Sequence, residues 1–408
     1  MKITDIECIP IVIPVSKRYD NHDGRMRMGG ISEHLVVKVH TDNGLVGYGD
    51  YEDISRPIPA AELEPLIGRS PFDFAHNNFN MALGMALYDV MGKHLEVPVY
   101  KLLGQKVRDS VAACAWTRPC PPEVFRDEIK RAVEQGYTVF KMHSSALFDV
   151  IEQTRLAAEV APPGFKLHWD FNHNRTLGTV LPIINELERD HPIVGFIEDP
   201  LPWDDIAGWR VLRERTRIPL IMHMPKLGGM QEVIRGCADM YMIGGAIGRT
   251  MMAGFAYASA NVQTIIQQSG ATLMKAMTAH QAAVLPTASA HTITLDDQYD
   301  EDFTTEKIPV IEGFSPVPEG PGLGVEVDEA ALSRLAQNSA AQRPDFIGVL
   351  HLPAGHKIYS AGQPRVAQLT GKEEAAIRGI AFERWVDDGS AEFARVFARV
   401  QTEGWFLE

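Results

Sequence analysis

The chain has 408 residues, 45% of them hydrophobic, and carries 53 acidic against 39 basic side chains for a formal net charge of −14. A chain of this size can bury a large core, most simply in two domains, although an α/β barrel alone can use about 200–250 residues. The negative balance repels duplex nucleic acid and anionic membrane surfaces at long range, so neither is expected as a partner. Cys8, Cys114, Cys120 and Cys237 lack paired metal-type spacing and are too few for a disulfide scaffold, which fits a reducing cytoplasm. Met1-Lys2-Ile3-Thr4-Asp5 has no signal-peptide pattern and no apolar run reaches the length of a membrane span, so a soluble, unprocessed protein is expected.

Ile3 to Pro14 and Glu33 to His40 are rich in β-branched residues, and the turn Thr41-Asp42-Asn43-Gly44 leads into Leu45-Val46-Gly47-Tyr48-Gly49. An antiparallel sheet should therefore open the chain. Between those strands, residues 16–30 follow neither a helical nor a strand period and contain Arg25 and Arg27. Two readings stay open for this loop: a solvated connection, or a lid whose arginines meet an anionic substrate. Phe79 to His94 places Phe79, Leu83, Ala86, Leu87, Val90 and Met91 on one face, predicting a packed helix that stops before Pro98.

From about Val111 the rhythm becomes strand, loop, helix. Candidate strands lie near 112–116, 138–142, 166–170, 193–198, 218–222, 239–243, 271–276 and 290–295, with helical stretches such as Glu123 to Gln135, Ile151 to Val160 and Leu181 to Arg189 between them. Eight strands with helical crossovers predict a (β/α) barrel. A doubly wound sheet should show a Gly-rich phosphate turn after its first strand, and Cys114-Ala115-Trp116-Thr117-Arg118-Pro119 is not one. A barrel presents its chemistry at the C-terminal ends of its strands, so Lys141, His143, Asp170, Asn172 and Glu198 are expected to face one mouth. The methionines between Met222 and Met277 read as core filling rather than a cofactor box.

Beyond 336 the pattern changes again. Residues 336–344 read as a linker, Phe346 to Leu350 as a strand, and Lys372 to Val386 and Ala391 to Val400 as helices. Trp385, Trp405 and Phe406 should not stay free in water, so this extension is expected to pack on its own barrel, as a wall of the mouth, or on a neighbouring subunit of a homo-oligomer.

Several stretches together resemble the enolase superfamily, in its mandelate racemase and muconate lactonizing enzyme branch, over roughly residues 1–335. They are Met1-Lys2-Ile3-Thr4 with the hairpin at 41–49, Ala86-Leu87-Tyr88-Asp89-Val90-Met91-Gly92-Lys93 leading to Pro98-Val99-Tyr100-Lys101-Leu102-Leu103-Gly104, Ile197-Glu198-Asp199-Pro200, and Pro321-Gly322-Leu323-Gly324-Val325 before Asp328. The resemblance implies an N-terminal α+β capping domain at 1–110, completed by about 310–335. It would close over a modified (β/α)8-type TIM barrel at 111–309, leaving 336–408 as a partly helical extension. It also implies abstraction of the proton α to the carboxylate of a small-molecule substrate, with Mg2+ stabilising the enediolate. So weak a carbon acid ionises only when the developing charge is held by a metal and cationic groups. By the same resemblance, Lys141 is the first lysine of a Lys-x-Lys pair, and His143 stands where the second, the base, would be. An imidazole can serve as that base. Asp170 and Glu198 match the first two metal ligands, whose oxygens suit magnesium. Asn172, two residues beyond the aspartate, joins Arg25 and Arg27 as a substrate-binding candidate.

The match departs from the family on the later strands. The third ligand position falls on Met224, a poor magnesium ligand; His223 is the neighbouring candidate, although strand alternation points His223 and Met224 to opposite sides. Gly244 occupies the place of the sixth-strand aspartate. The expected seventh strand at 271–276 has no histidine at its tip, and His280 falls in the helix that follows. Lys275 could replace it as a base or cation, and Asp296 could be the acid that hydrogen-bonds the substrate carboxylate. Structural readings remain beside these: a salt bridge for Asp170 and Glu198, packing roles for His143 and His223, paired or solvated cations for Lys226 and Lys275. The expected activity is metal-assisted dehydration of a sugar acid, with Lys141 or His143 abstracting the α-proton, a racemase, epimerase or cycloisomerase as alternatives and a metal-free binding homologue as another class.

Overall fold

The computed structural model describes residues 1–21, 33–52, 57–145, 147–228, 230–339, 345–362 and 379–408. Arg25 and Arg27 lie outside the described residues.

The β-branched segments at the start of the chain pair as an antiparallel sheet of β1 (Ile3–Val12), β2 (Glu33–Thr41) and β3 (Val46–Glu52) in that order. The helix Met81–Leu95 packs on it, capped by the Asn80 side chain accepting from Ala82 N–H. The glycines of β3 let the two approach closely: a Cβ on Gly49 would stand 1.9 Å from the Ala82 carbonyl oxygen. Buried Asp89 of this helix accepts from Tyr48 N–H at 2.9 Å and from Leu323 N–H at 2.8 Å, and pairs with Lys93 at 2.6 Å. One carboxylate thus ties the hairpin, the helix and the 321–324 turn together.

The central sheet contains β4 (Ser110–Thr117), β5 (Val139–His143), β6 (Lys166–Asp170), β7 (Val194–Glu198), β8 (Leu220–His223), β9 (Met240–Ile243), β10 (Gln263–Ile266) and β11 (His291–Thr292). They run parallel in the order β10-β9-β8-β7-β6-β5-β4-β11, and the parallel bridge between Gln267 and Ile293 joins the two ends of the curl. β12 (Phe314–Pro316) adds antiparallel to β4. This is a modified TIM barrel beside an N-terminal sheet-and-helix cap.

The seventh barrel strand is a correction to the sequence reading. Residues 272–284 form a helix, and the strand lies earlier, at Gln263–Ile266. The β-branched run Thr264-Ile265-Ile266 suits a strand, whereas Leu273-Met274-Lys275-Ala276-Met277 are good helix formers. All side chains of Thr272–Val284 are buried, so the segment has no polar face to show a helical period, and its apolar run reads like a strand. Lys275 therefore sits in the first turns of a helix, not at a strand tip.

The last residues build a second antiparallel sheet from β13 (Phe346–His351), β14 (Lys357–Ala361), β15 (Ala381–Val386) and β16 (Trp405–Leu407), in the order β15-β13-β14-β16. Residues 381–386, expected as the end of a helix, are a strand; the sequence Ala381-Phe382-Glu383-Arg384-Trp385-Val386 alternates in the manner of a half-buried strand. The rest of that expected helix, to residue 378, lies outside the described residues except for 379–380. The helix Ala391–Glu403 packs Phe393, Val396 and Val400 on Ile347, Val349 and Phe406. Leu350, Ile358 and Ile380 meet Leu147 and Phe148 of the loop that follows β5. The extension therefore packs on its own barrel. No helix among the described residues is long and apolar enough to cross a membrane.

Candidate active site

The parallel register sets His143 beside Asp170, Asp170 beside Glu198, and Glu198 beside Ile221. Side chains alternate along a strand, so Lys141 and His168 face the same interior one step below, and His223, two residues past Ile221, faces it too. Met224 leaves the strand in a left-handed conformation, φ +51°, and is 37% exposed. The inward residue at this tip is His223.

Lys141, 1% exposed, places its Nζ 2.6 Å from Glu198 Oε2 and 3.1 Å from Asp170 Oδ2. It also donates to Gln267 Oε1 at 3.0 Å. Burial opposes the charge on this ammonium, but the attraction of Glu198 and Asp170 outweighs it and raises its pKa. Glu198 is likewise pushed up by burial and pulled down further by Lys141, His168 and His223, so its carboxylate stays ionised. Gln267 escaped the sequence reading because the seventh strand was placed too late; the β-branched run just before it was the available signal.

Below this pair lies a chain of imidazoles. His168 Nε2 is 2.7 Å from Glu198 Oε2, and its Nδ1 is 2.8 Å from His291 Nε2. Burial lowers the pKa of both rings. Neutral rings satisfy the geometry: His291 Nε2–H donates to His168 Nδ1, and His168 Nε2–H donates to Glu198.

His143 is held from one side. Its Nδ1 lies 2.9 Å from Asn172 Oδ1 and 3.3 Å from Asp170 Oδ2, and its ring meets the Trp116 ring edge-on at 6.3 Å. Asn172 adopts φ +54° and donates its N–H to Asp170 Oδ1 at 2.8 Å, which fixes the amide that orients the imidazole. No hydrogen bond to His143 Nε2 is made among the described residues, so that nitrogen remains available.

One group at the mouth fits a divalent cation. Ligand atoms of Glu198, Asp199 and His223 lie within 4.8 Å of one another. Glu198 Oε1 is buried without a directed hydrogen bond and faces His223 Nδ1 at 3.3 Å, leaving a carboxylate oxygen with free lone pairs. Burial, and then the negative charges of Glu198 and Asp170, push Asp199 up to about 9. Two carboxylates and an imidazole make a donor set that magnesium or manganese accepts. Asp170 stands outside this group, engaged by Lys141, His143 and Asn172.

Lys275 and Asp296 are brought together, Nζ to Oδ2 at 2.9 Å, and Thr294 Oγ1 donates to Asp296 Oδ1. Among the described residues neither bonds to the Lys141–Glu198 group.

Proton transfer next to a cation-bound carboxylate is the work this geometry suits, which places the protein among barrel lyases and isomerases. The family model described as Enolase C-terminal domain-like matches residues 124–331. A D-gluconate dehydratase from Thermoproteus tenax is 26% identical over 353 residues, covering 74% of this chain and 70% of that one. An N-succinyl-L-Arg/Lys racemase from Bacillus cereus is 23% identical over 375 residues, covering 82% and 98%. The crystal structure of an enolase from Thermobispora bispora complexed with magnesium and formate shares the fold with a TM-score of 0.67 at 20% identity, covering 83% of this chain and 93% of that one. The chain belongs to the enolase superfamily, in its mandelate racemase and muconate lactonizing enzyme branch.

Proposed function

We propose that the protein is a divalent-metal-dependent dehydratase of a small sugar acid, with Mg2+ held by Glu198, Asp199 and His223. The observation that carries this reading is the pairing of that cation-ready group with a single imidazole, His143, anchored through Nδ1 and open at Nε2. A bound cation supplies electrostatic stabilisation of the charge that develops on the substrate carboxylate. His143 Nε2 takes the proton α to that carboxylate. The electron pair left on carbon forms the double bond as the β-hydroxyl departs, and the imidazolium returns its proton to make that leaving group water. The enol product then tautomerises to a 2-keto acid. Lys141 keeps Glu198 ionised and holds both Glu198 and Asp170 in place, and Asn172 orients the base.

A racemase needs a second base on the opposite face of the substrate. The seventh strand offers Gln267, which cannot take a proton at neutral pH, and Lys275 is committed to Asp296 in a helix. Among the described residues one base is placed to take the proton, and that favours elimination. Arg25 and Arg27 remain candidates for binding the substrate carboxylate. The reading also includes a cytoplasmic homo-oligomer with the cap, barrel and extension divided near 110, 310 and 335, and no nucleic-acid binding, the last supported by the net charge of −14.

Metal analysis of the purified protein after Mg2+ or Mn2+ loading, followed by a screen of acid sugars for 2-keto product, tests the reading. Bound metal with keto product supports it. Bound metal with inversion at the α-carbon would replace dehydration by racemisation, and a protein that takes up no metal would leave the metal-free binding homologue.

A further inference from the structure

We propose that Trp203 is a positioning residue for the Asp199 carboxylate, and that it sets the affinity of the mouth for a divalent cation. The inference rests on the metal reading above and deepens it.

Asp199 is held on every side. Its N–H donates to the Ile221 carbonyl at 3.0 Å, its own carbonyl accepts from His173 N–H at 2.7 Å, and its Oδ1 accepts from His223 N–H at 2.9 Å. Its backbone sits at φ +44°, a left-handed conformation that a non-glycine residue keeps only when its surroundings impose it. One contact is made by a side chain: the indole Nε1–H of Trp203 donates to Asp199 Oδ2 at 3.1 Å. An indole can donate and cannot accept, so this bond leaves lone pairs on Oδ2 free while fixing which way the carboxylate turns.

The indole is itself immobilised. The His173 ring lies 3.9 Å from the Trp203 ring, centroid to centroid, at an interplanar angle of 37°. Lys226 Nζ stands 4.6 Å from the same ring. The loops after β6, β7 and β8 therefore converge on one aromatic plane. These loops also carry Asn172, Asp199 and the residues following His223. A ring built only to fill space would not need its polar edge aimed at a carboxylate of the metal group.

Outer hydrogen bonds of this kind orient ligating groups, and their loss typically costs about 10–100-fold in metal affinity. Trp203→Phe keeps an aromatic plane for His173 and Lys226 while deleting the N–H. Mn2+ titration of the full-length protein by calorimetry should show binding weakened about 10–100-fold in W203F, with the metal-free melting temperature close to that of the parent. In the parent, Mn2+ should also change the part of the tryptophan emission that W203F lacks. His173→Ala, which removes the neighbouring tilted ring but keeps the indole N–H, should weaken binding less than W203F. Equal Mn2+ affinity in the parent and W203F would overturn the role of Trp203 and leave the metal reading standing. Failure of the parent itself to bind Mn2+ would overturn both.

Discussion

Lys141 Nζ stands 2.6 Å from Glu198 Oε2 at a depth where both side chains are sealed from water. An ion pair so buried recovers its desolvation cost only through complete partnering, and Lys141 has that with Glu198, Asp170 and Gln267. Replacing it with an isosteric apolar residue leaves Glu198 and Asp170 as uncompensated neighbours. Lys141→Met should lose about 3–5 kcal/mol of stability in urea denaturation. The double variant K141M/D170N should recover part of that loss. A stability loss below 1 kcal/mol in K141M would show that water reaches the pair, contrary to its burial.

His143 is fastened by Asn172 and Asp170 on one nitrogen only, which separates its role from that of the metal group. His143→Gln should lower the rate of keto-acid formation by about 100–10,000-fold, while Mn2+ affinity measured by calorimetry stays within about threefold of the parent. A parallel collapse of metal affinity would show that the imidazole supports the cation site instead of moving a proton.

Much of this mouth could be read from residues. His143, Asp170 and Glu198 each end a short strand and Lys141 lies two residues before one such end, so period and polarity are enough to expect them at one mouth. His223 was ambiguous because alternation alone cannot say which residue of a pair faces inward; the register of β7 against β8 settles it, by setting Glu198 opposite Ile221. The seventh strand failed for a different reason. A helix buried on every side carries no polar stripe, so Thr272–Val284 concealed its own type, and the true strand tip at Gln267 was passed over. Asp199 was visible only as part of Glu198-Asp199-Pro200. Its approach to His223 depends on a left-handed turn that the sequence does not announce.

The extension bears on the same strand tips. Phe148, buried in the loop that follows His143, meets Phe382 of β15 edge-on with ring centroids 6.5 Å apart, beside Leu350, Ile358 and Ile380. Phe148→Ala removes a ring from the junction between barrel and extension and should cost about 3–5 kcal/mol. Hydrogen exchange should rise both at 147–151 and across β13 and β15. Faster exchange on the barrel side alone would mean that the extension is held in place by other contacts.

A pH effect is expected at the seam between cap and barrel. His34 of β2 lies 2.8 Å from Asp50 Oδ1 through Nδ1 and 3.0 Å from Tyr299 OH through Nε2, and Tyr299 OH donates to Glu52 Oε2 at 3.1 Å. Burial pushes Glu52 up to about 7, although His34 and hydrogen bonds from Tyr299 and Ser269 pull the other way. Burial disfavours the charge on His34, yet Asp50, with smaller contributions from Glu52 and Asp302, raises its pKa. Arg118 faces Tyr299 from the end of β4. Both raised groups act with one sign. Below pH 4.5 Glu52 is neutral in the folded and unfolded chains alike; above it the unfolded chain ionises first, so stability is lost as pH rises through the folded value near 7. His34 adds to the loss as pH climbs past its own folded pKa. For Glu52 the difference between 4.5 and about 7 corresponds to on the order of 3 kcal/mol. Glu52→Gln keeps an acceptor for Tyr299 without the charge, so its denaturation midpoint should fall less than that of the parent between pH 5 and pH 8. Parallel pH profiles for the two proteins would mean that Glu52 ionises in the folded state as readily as in the unfolded one.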